Sequence, residues 1–349
     1  MSDATGPISF GRLLKVLLPI AVILLAFRYS LPSVFEKPAQ QQLEANMLQR
    51  LLGDTLSPPA DTVKFADSDG DLLCDPPAES ASPEKLVFTY IAAPEDAEES
   101  AVWADLTAAI GEATGLPVEY AHFTSMNDQL AAMARGELHI CGANTGAVPL
   151  AVESAGFHPV CTQGNAEGEF GYTMKLLVPS ASAAQDPKGL AGKKLAFTRP
   201  DSNSGFKAAV IYLMGEHSLQ PERDYQWGFT AGHDTSILEV ANRTHDAAPV
   251  ASDILERMTN DGEVAPDAFR VIYESERFPP ATIGYSHTLS EELRTKIAET
   301  LLAFNWEGTS VAEKYAASGA EKFVPVSYKD DWANIRRIDE AIQSAKEGE

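Results

Sequence analysis

The chain has 349 residues, 44% of them hydrophobic, and a formal net charge of -23 from 27 Lys and Arg against 50 Asp and Glu. That is enough apolar material for one large core or two moderate ones. Without clustered Lys and Arg to release counterions, nucleic acid and an anionic membrane surface are excluded as partners, whereas a small anion is not, because surface charges beyond about 8 Å are mostly screened.

From the N-terminus, Leu13 to Phe27 is almost wholly apolar, interrupted by Lys15 and Pro19 and flanked by Arg12 and Arg28. A bilayer needs roughly 20 apolar residues, so this run spans one only with its flanking cations reaching to the interface. The small-residue site of a cleavable signal is poorly matched by Tyr29-Ser30-Leu31-Pro32-Ser33. The expectation is an uncleaved membrane anchor over residues 1–30, with its basic end cytoplasmic and the remainder exported. Residues 31–83 read as an acidic linker, a tether with one short helical pattern around Gln42 to Leu52. Within it, Asp67, Asp69, Asp71 and Asp75 space carboxylates as calcium loops do, but the bidentate Glu of an EF-hand is missing. The stretch is either a solvated acidic turn or a single calcium repeat, and no metal is assigned to it. Cys74, Cys141 and Cys161 are an odd count for an exported chain, so at most one disulfide forms, and free buried thiols are the commoner state.

From residue 84 strands and helices alternate. The patterns place strands at Lys85–Ala92, Val118–His122, His139–Cys141, Tyr172–Pro179, Lys194–Thr198, Tyr225–Thr230, Ala247–Ala251 and Phe269–Tyr273. Helices fall at Ala101–Thr114, Met126–Arg135, Gly205–Gly215 and Ser236–Arg243, and Leu289 to Ala345 reads as mainly helical. This rhythm implies α/β lobes with parallel strands and crossover helices. There is no GxGxxG fingerprint, so a dinucleotide fold is not indicated and no cofactor is expected.

The chemistry-bearing stretch is Ser202-Asn203-Ser204-Gly205-Phe206, between a strand and an apolar helical run. A helix N-terminus offers unpaired N–H groups and the positive end of the helix dipole, and short hydroxyl and amide side chains let an oxyanion approach closely. On residue types alone the cluster is either such a cradle or an ordinary N-cap.

The strings Asp201 to Phe206, Ala231-Gly232-His233-Asp234-Thr235, the Glu239 to Arg243 helix and Gly171-Tyr172, with weaker echoes in Gly136 to Gly142 and Phe278-Pro279-Pro280, occur in one order along the chain. Together they resemble the periplasmic phosphonate- and phosphite-binding proteins of ABC transporters, within the type 2 periplasmic binding proteins. The resemblance implies an α/β fold of two lobes with the ligand cleft between them: lobe 1 from 84–178 and 281–349, lobe 2 from 179–280. It also implies that Ser202, Asn203, Ser204 and His233 grip the anion, the imidazole giving a charge-assisted bond. Departures are visible. Where the family sets tyrosines facing the ligand, this chain offers Met126 and Cys141, and the carboxylates that meet a ligand ammonium fall at Asp253 and Ala281, so one is retained. Thr124, Ser125, Asn144 and Thr145 lie close to these positions as substitute donors, and Asp253 is either a ligand contact or a helix N-cap.

The expected function is therefore a monomeric, membrane-tethered solute-binding protein that takes a small phosphorus oxyanion to an ABC permease, with no bond made or broken. Two rivals remain at this stage: a sensor acting through a separate membrane partner, and an enzyme using Cys141 with His139, His122 or His233 as base. The second is weakened by the lack of any helix N-terminus or ordered triad around Cys141.

Overall fold

A computed structural model describes residues 58–59, 61–92 and 99–347. The Leu13 to Phe27 run, the first part of the expected linker and its Gln42 to Leu52 helix lie outside these. Among the described residues no helix is long and apolar enough to cross a membrane.

The first sheet is centred on two short strands, the first and third in chain order, that are largely buried on both faces. β1 (Leu86–Thr89) pairs in parallel with β2 (Val118–Tyr120) on one side and with β3 (Ile140–Ala143), wholly buried, on the other. A run buried on both faces reads as continuously apolar, which is why β1 and β3 stand out in the sequence. The helices α1 (Glu99–Val102) and α2 (Ala104–Thr114) follow β1, and α2 seats Leu106 and Ile110 and stops at Gly115, φ 74°. Between β2 and β3, α3 (Met126–Ala134) starts at the Ser125 cap, and α4 (Val148–Ala155) follows β3.

The parallel expectation fails beyond β3. β4 (Phe157–Gly164), β10 (Thr282–Ser286) and β11 (Lys322–Pro325) complete the order β11-β4-β10-β3-β1-β2, and β10 is antiparallel to both neighbours. β10 enters the sheet only after the chain has returned from the second lobe, so its direction is set by that excursion and not by a local crossover helix.

The second lobe is built on β5 (Tyr172–Pro179), antiparallel to both β8 (Ala248–Ala251) and β9 (Phe269–Phe278). β6 (Lys194–Phe197) and β7 (Gln226–Phe229) form a parallel pair, tied to the approach to β8 by Ala196 N–H to Ala247 O at 2.9 Å. Helix α5 (Ala208–His217) follows β6, α6 (His233–Ala241) follows β7, and α7 (Ser252–Asn260) follows β8. Since β5 pairs here, the chain changes sheets between Gly164 and Tyr172, and the expected lobe boundary at 178 is too late. An eight-residue apolar strand carries no local sign of which sheet it joins. The chain crosses back between Phe278 and Thr282.

After α8 (Glu291–Ala303), α9 (Ser310–Tyr315) and α10 (Tyr328–Asp331), the last helix, α11 (Ala333–Glu347), does not belong to the first lobe alone. It packs on α5, and Trp332, Ile335, Ile338 and Ile342 share one apolar core with Leu130 and Val148 of the first lobe and Ala208 and Leu213 of the second. The tether reading also fails for its last part. Val63 N–H bonds Ser154 O at 2.9 Å, Ala81 N–H bonds Thr288 O at 2.6 Å, His158 Nε2 meets Cys74 O at 2.7 Å, and Cys74 is 1% exposed. Residues 61–83 are thus docked on the first lobe through backbone pairing, which needs no apolar periodicity and leaves none to read.

Candidate functional site

The loop after β6 is the centre of the site. Ser202 is extended (φ -74°, ψ 131°) and its Oγ accepts from Gly205 N at 3.1 Å, leaving the hydroxyl proton for another acceptor. Residues Asn203–Lys207 form one π turn before α5, closed by Lys207 N–H to Ser202 O at 3.1 Å. Such turns are rare and occur disproportionately at functional sites. Gly205 is fixed by contact: a β-carbon there would overlap Thr198 Oγ1 and sit 2.8 Å from Ser202 Oγ. Gly146, in the loop after β3, is fixed likewise, since its β-carbon would overlap Asp201 O and come to 2.7 Å from Asn203 N. The first lobe therefore touches the cradle backbone directly.

Within this tight packing several polar atoms have no protein partner. Thr198 Oγ1, both amide atoms of Asn203 and Ser204 Oγ are buried and unpaired, and the three residues are 1%, 2% and 1% exposed. Each buried polar group without a hydrogen bond costs about 1–3 kcal/mol. Four such atoms in one place are a large cost unless they meet a ligand. The cradle and N-cap readings are here both true, since Ser202 caps the turn while its neighbours remain unspent.

His233 opens α6 and lines the same cavity, its loop joined to the start of the cradle loop by Ala231 N–H to Thr198 O at 3.0 Å. Its Nδ1 accepts from Ala251 N–H at 3.1 Å, so in the neutral ring the proton is on Nε2. Burial, with a smaller contribution from the Arg199 charge, pulls its pKa down to about 4. The expected charge-assisted bond is corrected on this ground: at neutral pH the imidazole is an uncharged Nε2–H donor. Asp253, in the first turn of α7, lines the cavity too. It is not the N-cap, which is Ala251, and its buried Oδ1 is unpaired while desolvation raises its pKa.

The substitute donors separate. Thr145 lines the cavity but gives its hydroxyl proton to Pro279 O at 2.7 Å. Asn144 also lines it, yet its side chain is spent on Asp201 Oδ2 at 2.6 Å and on Ala147 N–H at 3.0 Å. It acts as a strut between lobes, completing a pair in which Arg199 grips Asp201 through Nε at 3.0 Å and reaches Ala92 O at 3.3 Å. Thr124 and Ser125 are absent from the cavity lining; Ser125 Oγ caps α3 at Asp128 N, 3.5 Å away. Helix capping and ligand donation ask for the same side chains, so the sequence cannot separate them.

The tyrosines thought to be missing are supplied from elsewhere. Tyr90 at the end of β1, Tyr172 at the start of β5 and Tyr315 at the end of α9 all line the cavity. Tyr90 and Tyr315 hydroxyls bond each other at 2.8 Å. Tyr172 OH reaches Thr145 Oγ1 at 3.3 Å and lies near Ser204 and Asn203, which opposes the rise in its pKa from burial without making a well-aligned bond to either. No periodicity marks these residues, and only Gly171-Tyr172 carried a sequence signal. Ala281 lines the cavity, whereas Met126 lines a second cavity beneath α11. Cys141 lies fully buried in β3. Burial pushes its thiol up to about 12, and His139 Nδ1 is occupied by Val87 N–H at 3.0 Å, which removes the proposed nucleophile and one of its bases. All three cysteines are free and buried. In the acidic stretch, Asp67, Asp69 and Asp71 bring carboxylate oxygens within 4.8 Å of one another, and those oxygens accept from the loop's own Gly70, Leu72, Asp71 and Leu73 N–H groups.

The protein-family description "ABC transporter, phosphonate, periplasmic substrate-binding protein" matches residues 88–332. The phosphonates-binding periplasmic protein of Escherichia coli is 26% identical over 172 residues, 46% of this chain and 51% of that protein, so this match spans about half the relative's length. A phosphate-import protein of Mycolicibacterium smegmatis is 24% identical over 287 residues, 76% of this chain and 88% of its own. The crystal structure of a binding-protein component of an ABC phosphonate transporter from Pseudomonas aeruginosa superposes with a TM-score of 0.63 at 18% identity, covering 75% of this chain and 88% of that one, and shares the two-lobed α/β fold. The chain thus belongs to the phosphonate family of periplasmic substrate-binding proteins of ABC transporters, a family of binding proteins and not of enzymes.

Proposed function

We propose that the protein captures a small phosphorus oxyanion, a phosphonate, phosphite or phosphate-like anion, between its lobes and hands it to an ABC permease. One observation carries the reading: Thr198, Asn203 and Ser204 follow β6 with buried polar atoms that have no protein partner, and Thr198 and Asn203, though not Ser204, line one cavity with Ser202 and His233. A tetrahedral anion presents several acceptor oxygens at once, which suits the Thr198 and Ser204 hydroxyls and Asn203 Nδ2, whereas Asn203 Oδ1 is an acceptor and calls for a donor. The donors are neutral, so the site recognises the anion by hydrogen bonds, and the Arg199 charge is already engaged by Asp201. The cradle belongs to the second lobe, whereas Asn144, Thr145 and Gly146 of the first lobe press on it. Ligand held in the cradle favours the closed arrangement through contact of its outer side with first-lobe residues that line the cavity, Tyr90, Tyr315 and Ala281.

The N-terminal 30 residues would serve as the inner-membrane anchor, raising the local concentration of receptor near its permease, and the exported part acts as a monomer. Fractionation of the native chain, with the protein released by alkaline carbonate, would remove the anchor from this account. For the ligand, titration calorimetry with methylphosphonate, phosphite, phosphate and methanesulfonate is the test. A phosphorus oxyanion binds, and Ser202→Ala with Ser204→Ala weakens it by about 3–6 kcal/mol, from roughly 1.5–3 kcal/mol for each hydrogen bond to a charged group. Heat from none of the panel, or equal affinity in the double variant, rejects the reading.

A further inference from the structure

The cavity between the lobes is far larger than the anion the cradle holds, and its far side has different chemistry. Its volume is about 440 Å³. A five-heavy-atom oxyanion fills roughly 60–70 Å³, about twice a water's share of liquid volume. This excess persists although the lobes already touch on both flanks: Asn144 bonds Asp201 behind the cradle, and residues Ala316–Ser318 of the first lobe pack on α7 of the second at the other edge.

The unpaired donors of the cradle all stand at one end, on the second lobe. The same cavity is lined from the first lobe by Tyr90, Tyr315, Ile91 and Ala281 and from the second by Ile254. The two tyrosine hydroxyls are engaged with each other at 2.8 Å, so these rings present mainly apolar surface. A concave, mostly apolar chamber with a few convergent polar groups at one end is the form of a site for an organic ligand, not for a bare inorganic ion. The charges around this chamber also limit the substituent. Asp253 offers an unpaired oxygen there, Lys314 is held by Glu99 at 3.1 and 3.2 Å, Arg199 by Asp201, and Arg257 by Asp234 and Glu263 at 2.6 and 2.9 Å. Each cation lining the chamber already has a carboxylate partner, which disfavours a second anionic group.

We propose that the ligand carries, beyond its phosphorus oxyanion, an uncharged or hydrogen-bond-donating organic substituent of roughly ten heavy atoms, at about 30 Å³ for each water-sized group. The oxyanion enters the cradle and the substituent lies against Tyr90, Tyr315 and Ile91. The inference rests on the oxyanion reading above. It is indifferent to whether the substituent is joined through carbon or through oxygen, and the test separates these sources.

Calorimetry of the full exported chain with phenylphosphonate, phenyl phosphate, methylphosphonate and inorganic phosphate decides it. At least one phenyl ligand binds tenfold or more tighter than its small counterpart: phenylphosphonate ahead of methylphosphonate marks a phosphonate, phenyl phosphate ahead of phosphate marks an ester. In Ala281→Trp, where an indole occupies the chamber, the order of the preferred pair reverses. Small anions binding as tightly as both phenyl ligands, or an unchanged order in a folded Ala281→Trp protein, overturns the inference and leaves the oxyanion reading standing. Binding by none of the four overturns both.

Discussion

Replacing Gly205 by alanine tests the cradle's construction from inside. The new β-carbon would overlap Thr198 Oγ1, sit 2.5 Å from Thr198 Cγ2 and 2.8 Å from Ser202 Oγ, where about 3.5 Å or more is comfortable for carbon contacts. Thr198 is 1% exposed and Ser202 is held by its capping bond to the same residue, so neither yields without moving the turn. Overpacking of this kind costs about 1–3 kcal/mol, against which alanine in a helical turn recovers up to about 1 kcal/mol relative to glycine. The net destabilisation is about 1–2 kcal/mol, a fall of roughly 2–8 °C in Tm if the two lobes unfold as one unit. Binding suffers more, because the displaced groups are the donors themselves. Two hydrogen bonds to a charged ligand at roughly 1.5 kcal/mol each amount to about a hundredfold in Kd. Calorimetry of unfolding and of methylphosphonate binding measures both. A variant with wild-type Tm and affinity would refute the claim that Gly205 is there for contact.

Other perturbations probe separate links. The depressed pKa of His233 means the folded state holds a neutral ring where the unfolded chain, with a pKa near 6.5, takes up a proton on acidification. Its contribution is complete above about pH 6.5 and falls as the pH drops toward 4. Ligand-free wild type should lose more stability between pH 7 and 4.5 than His233→Gln, and parallel denaturation curves for the two would contradict this. With all three thiols buried, dithionitrobenzoate should label none in the native protein and three in guanidinium, and rapid native labelling would remove Cys141 from the interior of β3. A chain beginning at residue 84 should melt several degrees below one beginning at residue 58, because it loses the docked segment and the bonds from Val63, Cys74 and Ala81; equal melting would restore the tether reading for those residues.

The parts of the fold visible in the sequence are those that local physics determines. β1, β3 and β5 are apolar runs of strand length, and α3 and α6 have the 3.6-residue period, so each was read within a few residues. What escaped depends on partners distant in sequence. β10 is antiparallel because of where the chain has been, and α11 bridges the lobes through Trp332, whose Nε1 reaches Thr145 O at 3.0 Å across 187 positions. The site divides the same way. Ser202, Asn203 and His233, on two short strings singled out in the sequence, come together in one cavity, whereas Tyr90 and Tyr315 meet from distant parts of the first lobe with nothing local to mark them. Asn144 was picked as a donor for its chemistry, and that chemistry is present, but it is spent on Asp201. Only packing reveals how a polar side chain divides its bonds.

The central claim is that an oxyanion lodges where β6 passes into the turn before α5, and a diffraction experiment on crystals grown with a phosphonate tests it most directly. The account predicts phosphorus density with its oxygens within about 3 Å of the Ser202 and Ser204 hydroxyls, the Asn203 amide and His233 Nε2. Density for the ligand elsewhere, or a His233 ring turned so that Nε2 faces away from it, would contradict the account.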